Sequence, residues 1–375
     1  MAIFAFDVKE LTEMKRTLCL LVLATAFFVS AYAQDYVYTD AKTLPLYGKI
    51  QDDTFEPYSR LPLSMKDAVR EPVWRLGRES AGLYVRFISD AGKFSFRWTS
   101  TYKANLDNMM GIGVRGMALY VLDGNEWKFL APVRPNINDE ESEYKVGASK
   151  LVGKQTEYML YLSLYDGIQD LQIGVPEGRT IAPSTLDTPR AEKPIIIYGT
   201  SILQGASASH PGLCGTALLS RRTDRQVINL GFSGQCLLEE PLAEYMASYE
   251  DPGMFIIDNW NAGAKVGEKG LEKCLRILRA AHPQTAILVV DRPLTPQAEF
   301  DEGATNTFVT KKKVAEDIVA KLRKEGDKNI FHVTPYILGE GGSGTSDGIH
   351  FTDEGFTKWV DAVEPYVKKA YRKLK

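Results

Sequence analysis

The period of the hydrophobic pattern changes once along the chain, and this change limits the fold more than any other feature. In the first half, apolar residues recur at every second position, so that Leu83, Val85 and Phe87 alternate with Tyr84 and Arg86. Side chains two residues apart lie on the same face of a strand. The first half is therefore predicted to consist of half-buried β-strands.

Turn residues separate these predicted strands. Ala118–Leu122 and Glu126–Leu130 flank Asp123-Gly124, which predicts a β-hairpin with a positive φ at both turn residues. Two further strands are predicted at Glu157–Leu164 and Asp170–Val175. Several short strands separated by turns indicate an all-β sandwich, which we expect to be jelly-roll-like.

In the second half, short and wholly apolar runs alternate with longer segments of helical spacing. In one such segment, Leu271, Leu275 and Leu278 recur on a single helical face. Apolar strands that alternate with helices are typical of a parallel sheet covered on both faces. The apolar runs are Pro194–Tyr198, Val227–Leu230, Met254–Ile257, Ala286–Val290 and Ile330–Val333.

The first residues carry the pattern of an export signal. Lys15-Arg16 precede an apolar run from Leu18 to Val29, and a site of small residues follows that ends at Ala33. This pattern is typical of a signal peptide, and the run is shorter than the roughly 20 residues of a transmembrane helix. We expect translation to start at Met14 and the protein to be periplasmic or secreted, with a buried N-terminal helix as the alternative. The predicted units are the signal region 1–33, the β-sandwich 34–181, a linker 182–192 and the α/β domain 193–375.

The charge and cysteine content argue against a nucleic-acid-binding protein and against a zinc site. The chain has 45 Lys and Arg against 48 Asp and Glu, a net charge of −3, whereas a dedicated nucleic-acid binder normally carries a basic excess. Loss of the signal would leave Cys214, Cys236 and Cys274, so at least one thiol is free, and a Cys214–Cys236 disulfide is possible in an oxidising compartment. The cysteines are not spaced as a zinc site. We expect no metal, no cofactor, no nucleic-acid partner and no stable membrane insertion after signal cleavage.

Ser201 is the first candidate for chemistry. It follows the first apolar strand directly, in Gly199-Thr200-Ser201, and ligands of parallel α/β sheets bind at the carboxyl ends of strands. A serine at the start of the next helix would have a free N–H, and the helix N-terminus would favour a developing oxyanion. The alternative interpretation is a serine that only caps the helix.

Asp347-Gly348-Ile349-His350 is the second candidate element, just before the final predicted helix. A serine hydroxyl is a weak nucleophile that needs an adjacent base. His350 would be that base, and Asp347 would hold its imidazole in the correct tautomer. The alternative is a surface loop with a solvated Asp and His.

Two further polar stretches end the second and third predicted strands. Gly234 closes the stretch after the second strand, where a glycine lets its N–H approach a ligand closely. Asp258-Asn259-Trp260-Asn261 closes the third strand, and an asparagine amide is a good oxyanion donor. Taken singly, these stretches could be an ordinary turn and a helix-capping turn.

The order of these four elements resembles that of the SGNH (GDSL-type) hydrolases. The resemblance covers about 193–375 and implies a flavodoxin-like three-layer α/β/α fold. It implies Ser201 as nucleophile, Asp347 and His350 as its partners, and Gly234 and Asn261 as oxyanion donors beside the Ser201 N–H.

The sequence departs from the common family blocks in two places. It has Gly-Thr-Ser in place of Gly-Asp-Ser, and Asp-Asn-Trp-Asn in place of Gly-x-Asn-Asp, so that Asn259 is an alternative to Asn261. Both departures resemble a secreted subgroup with an N-terminal β-sandwich. Gly116-Met117-Ala118-Leu119-Tyr120 is similar to the Gly-x-Asp-Leu-Tyr signature of that subgroup, with Ala118 in place of Asp.

The resemblance implies an exported serine esterase without a cofactor. We expect its substrate to be a short acyl ester, such as acetyl on a carbohydrate, with Trp260 lining the substrate pocket. One alternative is a lipase or thioesterase of the same fold. Another is a non-catalytic carbohydrate-binding protein with a degenerate hydrolase domain. Sequence leaves the acyl length, the alcohol and the oligomeric state open.

Overall fold

The computed structural model describes residues 35–259 and 267–374, with side chains from residue 270 onward in the second range. The predicted signal region 1–33, including the predicted start at Met14, lies outside the described residues. Within the described ranges, no helix is both long enough and apolar enough to cross a membrane.

The first half forms two antiparallel sheets packed face to face. One sheet has the strand order β1-β9-β4-β7, and the other has the order β10-β3-β8-β5-β6 with β2 paired to β3. Phe94, Phe96 and Trp98 of one sheet meet Phe87 and Tyr158 of the other in a common core, so the predicted all-β sandwich is confirmed. The strands are β1 (Tyr36–Asp40), β2 (Leu46–Tyr47), β3 (Tyr84–Ser89), β4 (Lys93–Ser100), β5 (Met117–Asp123), β6 (Glu126–Val133), β7 (Glu141–Gly147), β8 (Thr156–Tyr161), β9 (Ile168–Pro176) and β10 (Ile181–Pro183).

The predicted hairpin forms, but its turn lies one residue further along the chain. Asp123 pairs with Glu126, which leaves Gly124 and Asn125 as the two turn residues. Gly124 has a φ of +62°, and Asn125 is not among the residues with positive φ. A positive φ at the first turn residue alone is typical of a type II′ turn. The prediction of positive φ at both Asp123 and Gly124 is therefore wrong.

Strand β3 is buried on both faces, whereas the alternating pattern predicted a half-buried strand. Val85 and Phe87 lie in the sandwich core, while Tyr84 packs into the core of the α/β half together with Tyr161 of β8. Tyr84 and Arg86 are each only 1% exposed. The sheet that contains β3 is thus a middle layer between the other antiparallel sheet and the α/β half.

The second half is built on a five-stranded parallel sheet. Its strand order, β12-β11-β13-β14-β15, is the flavodoxin-like order. In such sheets ligands bind at the carboxyl ends of the strands, at the point beside the first strand where the strand order reverses. Each predicted apolar run lies within one of these strands. The strands are β11 (Arg190–Gly199), β12 (Arg225–Gly231), β13 (Met254–Asp258), β14 (Ala286–Val290) and β15 (Ile330–Val333).

Helices cover both faces of the parallel sheet, which confirms the three-layer α/β/α prediction. Helices α4 and α8 share a core with one face, and helices α5, α6 and α7 share a core with the other. The helices are α1 (Glu71–Gly77), α2 (Gly111–Val114), α3 (Ser201–Gln204), α4 (Gly215–Thr223), α5 (Glu240–Ala247), α6 (Gly267–Ala281), α7 (Glu302–Lys324) and α8 (Asp353–Arg372).

Helix α1 belongs to the first half in sequence but packs on the second half. Leu61, Val73 and Trp74 lie in the same core as Ile228 and Phe255 of the parallel sheet. The period-two pattern did not predict this helix, because its apolar residues contact a sheet formed more than a hundred residues later in the chain.

The segment predicted as a linker takes part in sheets at both of its ends. Ile181–Pro183 pair with β3, and Arg190 is already paired with Arg225 of β12. Cys214, Cys236 and Cys274 are buried and do not form disulfides among the described residues, so the possible Cys214–Cys236 disulfide is not formed in this structure.

Candidate active site

The turn between β11 and α3 places Ser201 at the carboxyl edge of the parallel sheet. A Cβ on Gly199 would lie 2.7 Å from Cβ of Asp258, so only glycine allows this close approach to β13. The Thr200 amide and hydroxyl both donate to Oδ2 of Asp258, at 3.2 and 2.8 Å. The residue before Ser201 is therefore fixed to the neighbouring strand.

Ser201, His350 and Asp347 form one continuous chain of hydrogen bonds. Oγ of Ser201 lies 3.0 Å from Nε2 of His350, and Nδ1 of His350 lies 2.6 Å from Oδ2 of Asp347. The histidine and aspartate lie in the loop before α8, which begins at Asp353 after the N-cap Thr352. The structure thus brings together the three residues that the sequence singled out from positions up to 149 residues apart.

The environment of Asp347 keeps its carboxyl group ionised. Burial alone would raise its pKa, but the amide and ring of His350, the side chain of Asn108 and the amide of Ile349 donate to it, and together they hold the pKa well below its usual range. Since an ionised carboxylate accepts, Nδ1 of His350 must carry the proton. Nε2 is then the acceptor for the Ser201 hydroxyl.

Two backbone amides that follow the carboxyl ends of β11 and β12 have no acceptor among the residues that the structure describes. These are the N–H of Ser201, at the first position of α3, and the N–H of Gly234, in the turn after β12. Gly234 has a φ of +68°, and the space where a Cβ would lie is open. Free amides at the end of a strand are suitable donors for an oxyanion.

A buried network fixes the turn that contains Gly234. Oε1 of Gln204, in α3, accepts from the amide of Ser233 at 2.8 Å, and its Nε2 donates to Glu79 and to the Leu164 carbonyl. The fully buried Arg60 donates to the carbonyls of Gly231 (2.7 Å) and Asn229 (3.2 Å), and it also reaches two carbonyls of the first half. Residues of the first half therefore hold the end of β12 in place.

The structure separates the two asparagine candidates. Asn259 is fully buried, its Nδ2 donates to Asp291 at 2.5 Å and its Oδ1 accepts from the Arg292 amide at 3.1 Å. These bonds tie β13 to the end of β14 and leave the Asn259 amide unsuited to an oxyanion. Asn261 and Trp260 lie outside the described residues, so their predicted roles stay predictions.

Asn108 is the main residue at the site that sequence reasoning missed. It comes from the first half, yet its Nδ2 lies 3.1 Å from Oδ2 of Asp347 and 3.2 Å from Nδ1 of His350. Tyr165, also from the first half, donates to the carbonyl of Ser201 at 3.4 Å. Both residues lie in irregular segments without hydrophobic period, and the sequence carries no signal for contacts that span so much of the chain.

The arrangement of Ser201, His350 and Asp347 is suited to acyl transfer. It supplies a hydroxyl, an acceptor for its proton and two free amides within one edge of the sheet. In the part of the chain that the structure describes, no group of three His, Cys, Asp or Glu side chains is placed to hold a metal ion.

Comparison with known families identifies the class. Residues 36–181 match the model of the N-terminus of SGNH-hydrolase-type esterases, and residues 192–368 match the model of the GDSL-like lipase/acylhydrolase family. Together with the fold, these matches make the chain a serine ester hydrolase. It belongs to the SGNH (GDSL-type) hydrolases, and its β-sandwich half corresponds to the N-terminal unit of SGNH-hydrolase-type esterases.

Solved structures with the same fold match about nine tenths of the chain. A protein described as a GDSL-like lipase from Bacteroides ovatus ATCC 8483 shares 28% identity and a TM-score of 0.82, covering 90% of this chain and 98% of that one. A salicylyl-acyltransferase from a tetracycline biosynthetic pathway shares 17% identity, with coverage of 89% and 97% and a TM-score of 0.70. A family two carbohydrate esterase from Cellvibrio japonicus shares 12% identity, with coverage of 91% and 99% and a TM-score of 0.58. The last two show likeness of fold alone. No curated protein matches the chain.

Proposed function

We propose that this protein is an exported esterase that removes short acyl groups, most simply acetyl, from carbohydrate, with Ser201 as nucleophile. The observation that carries the proposal is the unbroken chain from Oγ of Ser201 through His350 to Asp347 at the carboxyl edge of the sheet. Structural serines at helix starts do not need a histidine within 3.0 Å that is itself held by an ionised aspartate.

The reaction proceeds in two halves. Nε2 of His350 takes the Ser201 proton while Oγ bonds to the ester carbonyl carbon, and the carbonyl oxygen becomes an oxyanion held by the Ser201 and Gly234 amides and by the Asn261 side chain. As the intermediate collapses, the C–O bond to the alcohol breaks and His350 gives its proton to the leaving alcohol. Water, deprotonated by His350, then attacks the acyl-enzyme, and the acid leaves as Ser201 regains its proton.

The partial exposure of the triad is compatible with an ester substrate whose alcohol is bulky. The side chains of His350 and Asp347 are 22% and 35% exposed, and Ser201 is half-buried, so an ester on a large, flexible glycan can reach Oγ from solvent. The carbohydrate esterase that shares this fold makes an acetylated glycan a reasonable first substrate class. Trp260, beside the proposed oxyanion donor Asn261 in sequence, is proposed to contact the substrate. Export is proposed from the signal pattern before Gln34.

The proposal is tested by hydrolysis of p-nitrophenyl acetate by the purified chain. We expect activity in the parent and a fall in kcat of at least about a thousandfold in both Ser201→Ala and His350→Ala. Ser149→Ala removes an exposed serine hydroxyl of the first half and serves as a matched control that retains parental activity.

The acyl and alcohol preferences are tested in the same assay. We expect kcat/KM to fall from acetyl to octanoyl esters, and acetyl xylan or acetyl mannan to release acetate. A rise with chain length would instead favour a lipase. A parent no faster than Ser201→Ala on every ester would contradict the esterase proposal and favour a glycan-binding protein with a degenerate site.

A further inference from the structure

Asn108 connects the β-sandwich half directly to the proposed triad. Its Nδ2 lies 3.1 Å from Oδ2 of Asp347, 239 residues later in the chain, and 3.2 Å from Nδ1 of His350. The same Oδ2 accepts from Nδ1 of His350 at 2.6 Å. One carboxylate oxygen therefore receives donors from both halves of the molecule.

The chemistry of the three groups fixes the direction of these bonds. Nδ1 of His350 gives its only hydrogen to Asp347, so it cannot also accept from Asn108, and the 3.2 Å contact is between two donors that converge on one oxygen. The Asn108 amide nitrogen faces the carboxylate, since its oxygen there would be repelled by the charge. Asn108 is thus a donor to Asp347 and leaves the His350 ring free to face Ser201.

The backbone that carries Asn108 is anchored on both sides. The Asn108 carbonyl accepts from Oγ of Ser207 at 3.0 Å, in the loop that follows α3. Upstream, the fully buried carboxylate of Asp166 accepts from the amides of Tyr102 and Ala104, each at 2.8 Å. Downstream, a Cβ on Gly113 would lie 2.7 Å from the Ala208 carbonyl, so the segment packs closely on the loop after Ser201.

We propose that Asn108 is a positioning residue of the active site: the β-sandwich half supplies the amide that fixes Asp347 and, through it, the ring of His350. The inference rests on the proposed function, because it gives the first half a direct part in the reaction. We therefore expect loss of the Asn108 amide to lower kcat, and we expect this fall only while residue 347 is a carboxylate.

The test compares Asn108→Leu and Asn108→Asp with the parent. Both variants keep the approximate volume of the side chain and remove the donor, and Asn108→Asp also places a negative charge against Asp347. A hydrogen bond to a charged group is worth about a ten- to hundredfold effect, so kcat is expected to fall by that factor in Asn108→Leu, and further in Asn108→Asp, with KM within about twofold. Asn108→Gln, which keeps the amide, is expected to recover part of the loss. Asn138→Leu, at an exposed asparagine of the same half, is the control.

A double variant separates positioning from general damage to the fold. In an Asp347→Asn background, adding Asn108→Leu is expected to lower kcat by less than about twofold, because the carboxylate that it positions is gone. If the two substitutions lower kcat by the product of their single effects, or if Asn108→Leu alone keeps the parental kcat, the inference is overturned. The esterase proposal stays in place in both cases.

A spectroscopic measurement keeps the inference testable even if no ester is cleaved. The low-field proton NMR signal of the His350 Nδ1–H, assigned by its loss in His350→Ala, is expected to shift in Asn108→Leu and to stay in place in Asn138→Leu. An unchanged signal in Asn108→Leu would overturn the inference by itself.

Discussion

Glu79 gives the protein a pH-dependent stability that a single substitution can remove. Glu79 is 2% exposed and belongs to the network that fixes the turn containing Gly234. Burial raises the pKa of Glu79 from 4.5 to about 7, because the loss of solvation outweighs the attraction of Arg60 and Arg75. Between pH 4.5 and about pH 7, Glu79 is protonated in the folded protein but ionised in the unfolded chain. The free energy of unfolding therefore falls as the pH rises from 4.5 to about 7, and this loss levels off above pH 7.

The size of the effect follows from the shift. Each pKa unit corresponds to about 1.4 kcal/mol, so the rise from 4.5 to about 7 amounts to about 3 kcal/mol at pH 8. Glu79→Gln is neutral at every pH and nearly isosteric. We expect the free energy of unfolding of Glu79→Gln, relative to the parent, to increase by about 3 kcal/mol between pH 4.5 and pH 8.

The assay is urea unfolding at pH 4.5, 6 and 8, followed by both circular dichroism and tryptophan fluorescence. At each pH, the free energy of unfolding of Glu79→Gln is compared with that of the parent. The contributions of all other titrating groups are the same in both proteins and cancel in the difference. Glu71→Gln, at an exposed glutamate of α1, is the matched control and should show no such change. If the Glu79→Gln and parental curves stay parallel from pH 4.5 to 8, Glu79 is ionised in the core and the reasoning fails.

Three further predictions concern the site, the packing and the thiols. Asp347→Asn should lower kcat by about 10⁴-fold, since the amide selects the wrong imidazole tautomer; a loss below tenfold in steady-state assays would contradict this. Gly231→Ala should cost about 1–3 kcal/mol in urea unfolding, because its Cβ would lie 2.2 Å from the backbone of α3. Gly147→Ala, whose Cβ meets nothing within 4 Å, is its control, and equal stability of the two variants would be inconsistent with the packing described. The three buried thiols should react with Ellman's reagent only after unfolding, and a melting temperature lowered by dithiothreitol would reveal a disulfide.

The parallel sheet and the triad could be predicted because their signals are local. An apolar run such as Met254–Ile257 is buried on both faces and is followed by its helix, and Ser201 and His350 lie at ends of such elements. The topology of a parallel sheet is enough to predict that both candidates lie at the carboxyl edge of the strands.

The rest of the site could not be predicted because it depends on how the halves pack. Tyr84 and Arg86 look like exposed positions of an alternating strand, but both are buried: Tyr84 lies in the core of the α/β half, and Arg86 lies against Tyr47 and the Thr188 carbonyl. The contact of Asn108 with Asp347 and the bonds from Arg60 to Gly231 join segments more than 160 residues apart. No period or motif in one sequence encodes such a pairing, since each residue is an ordinary polar side chain until the two halves meet.

The central claim, that Ser201 is an activated nucleophile, is tested most directly by covalent labelling with a fluorophosphonate. The reagent forms a bond to a serine oxygen only where a neighbouring base and oxyanion donors activate it. We predict one label per chain, located by peptide mass spectrometry on Ser201, absent in Ser201→Ala and slowed at least about a thousandfold in His350→Ala. Labelling on another residue, or equal labelling of the parent and Ser201→Ala, would contradict the account.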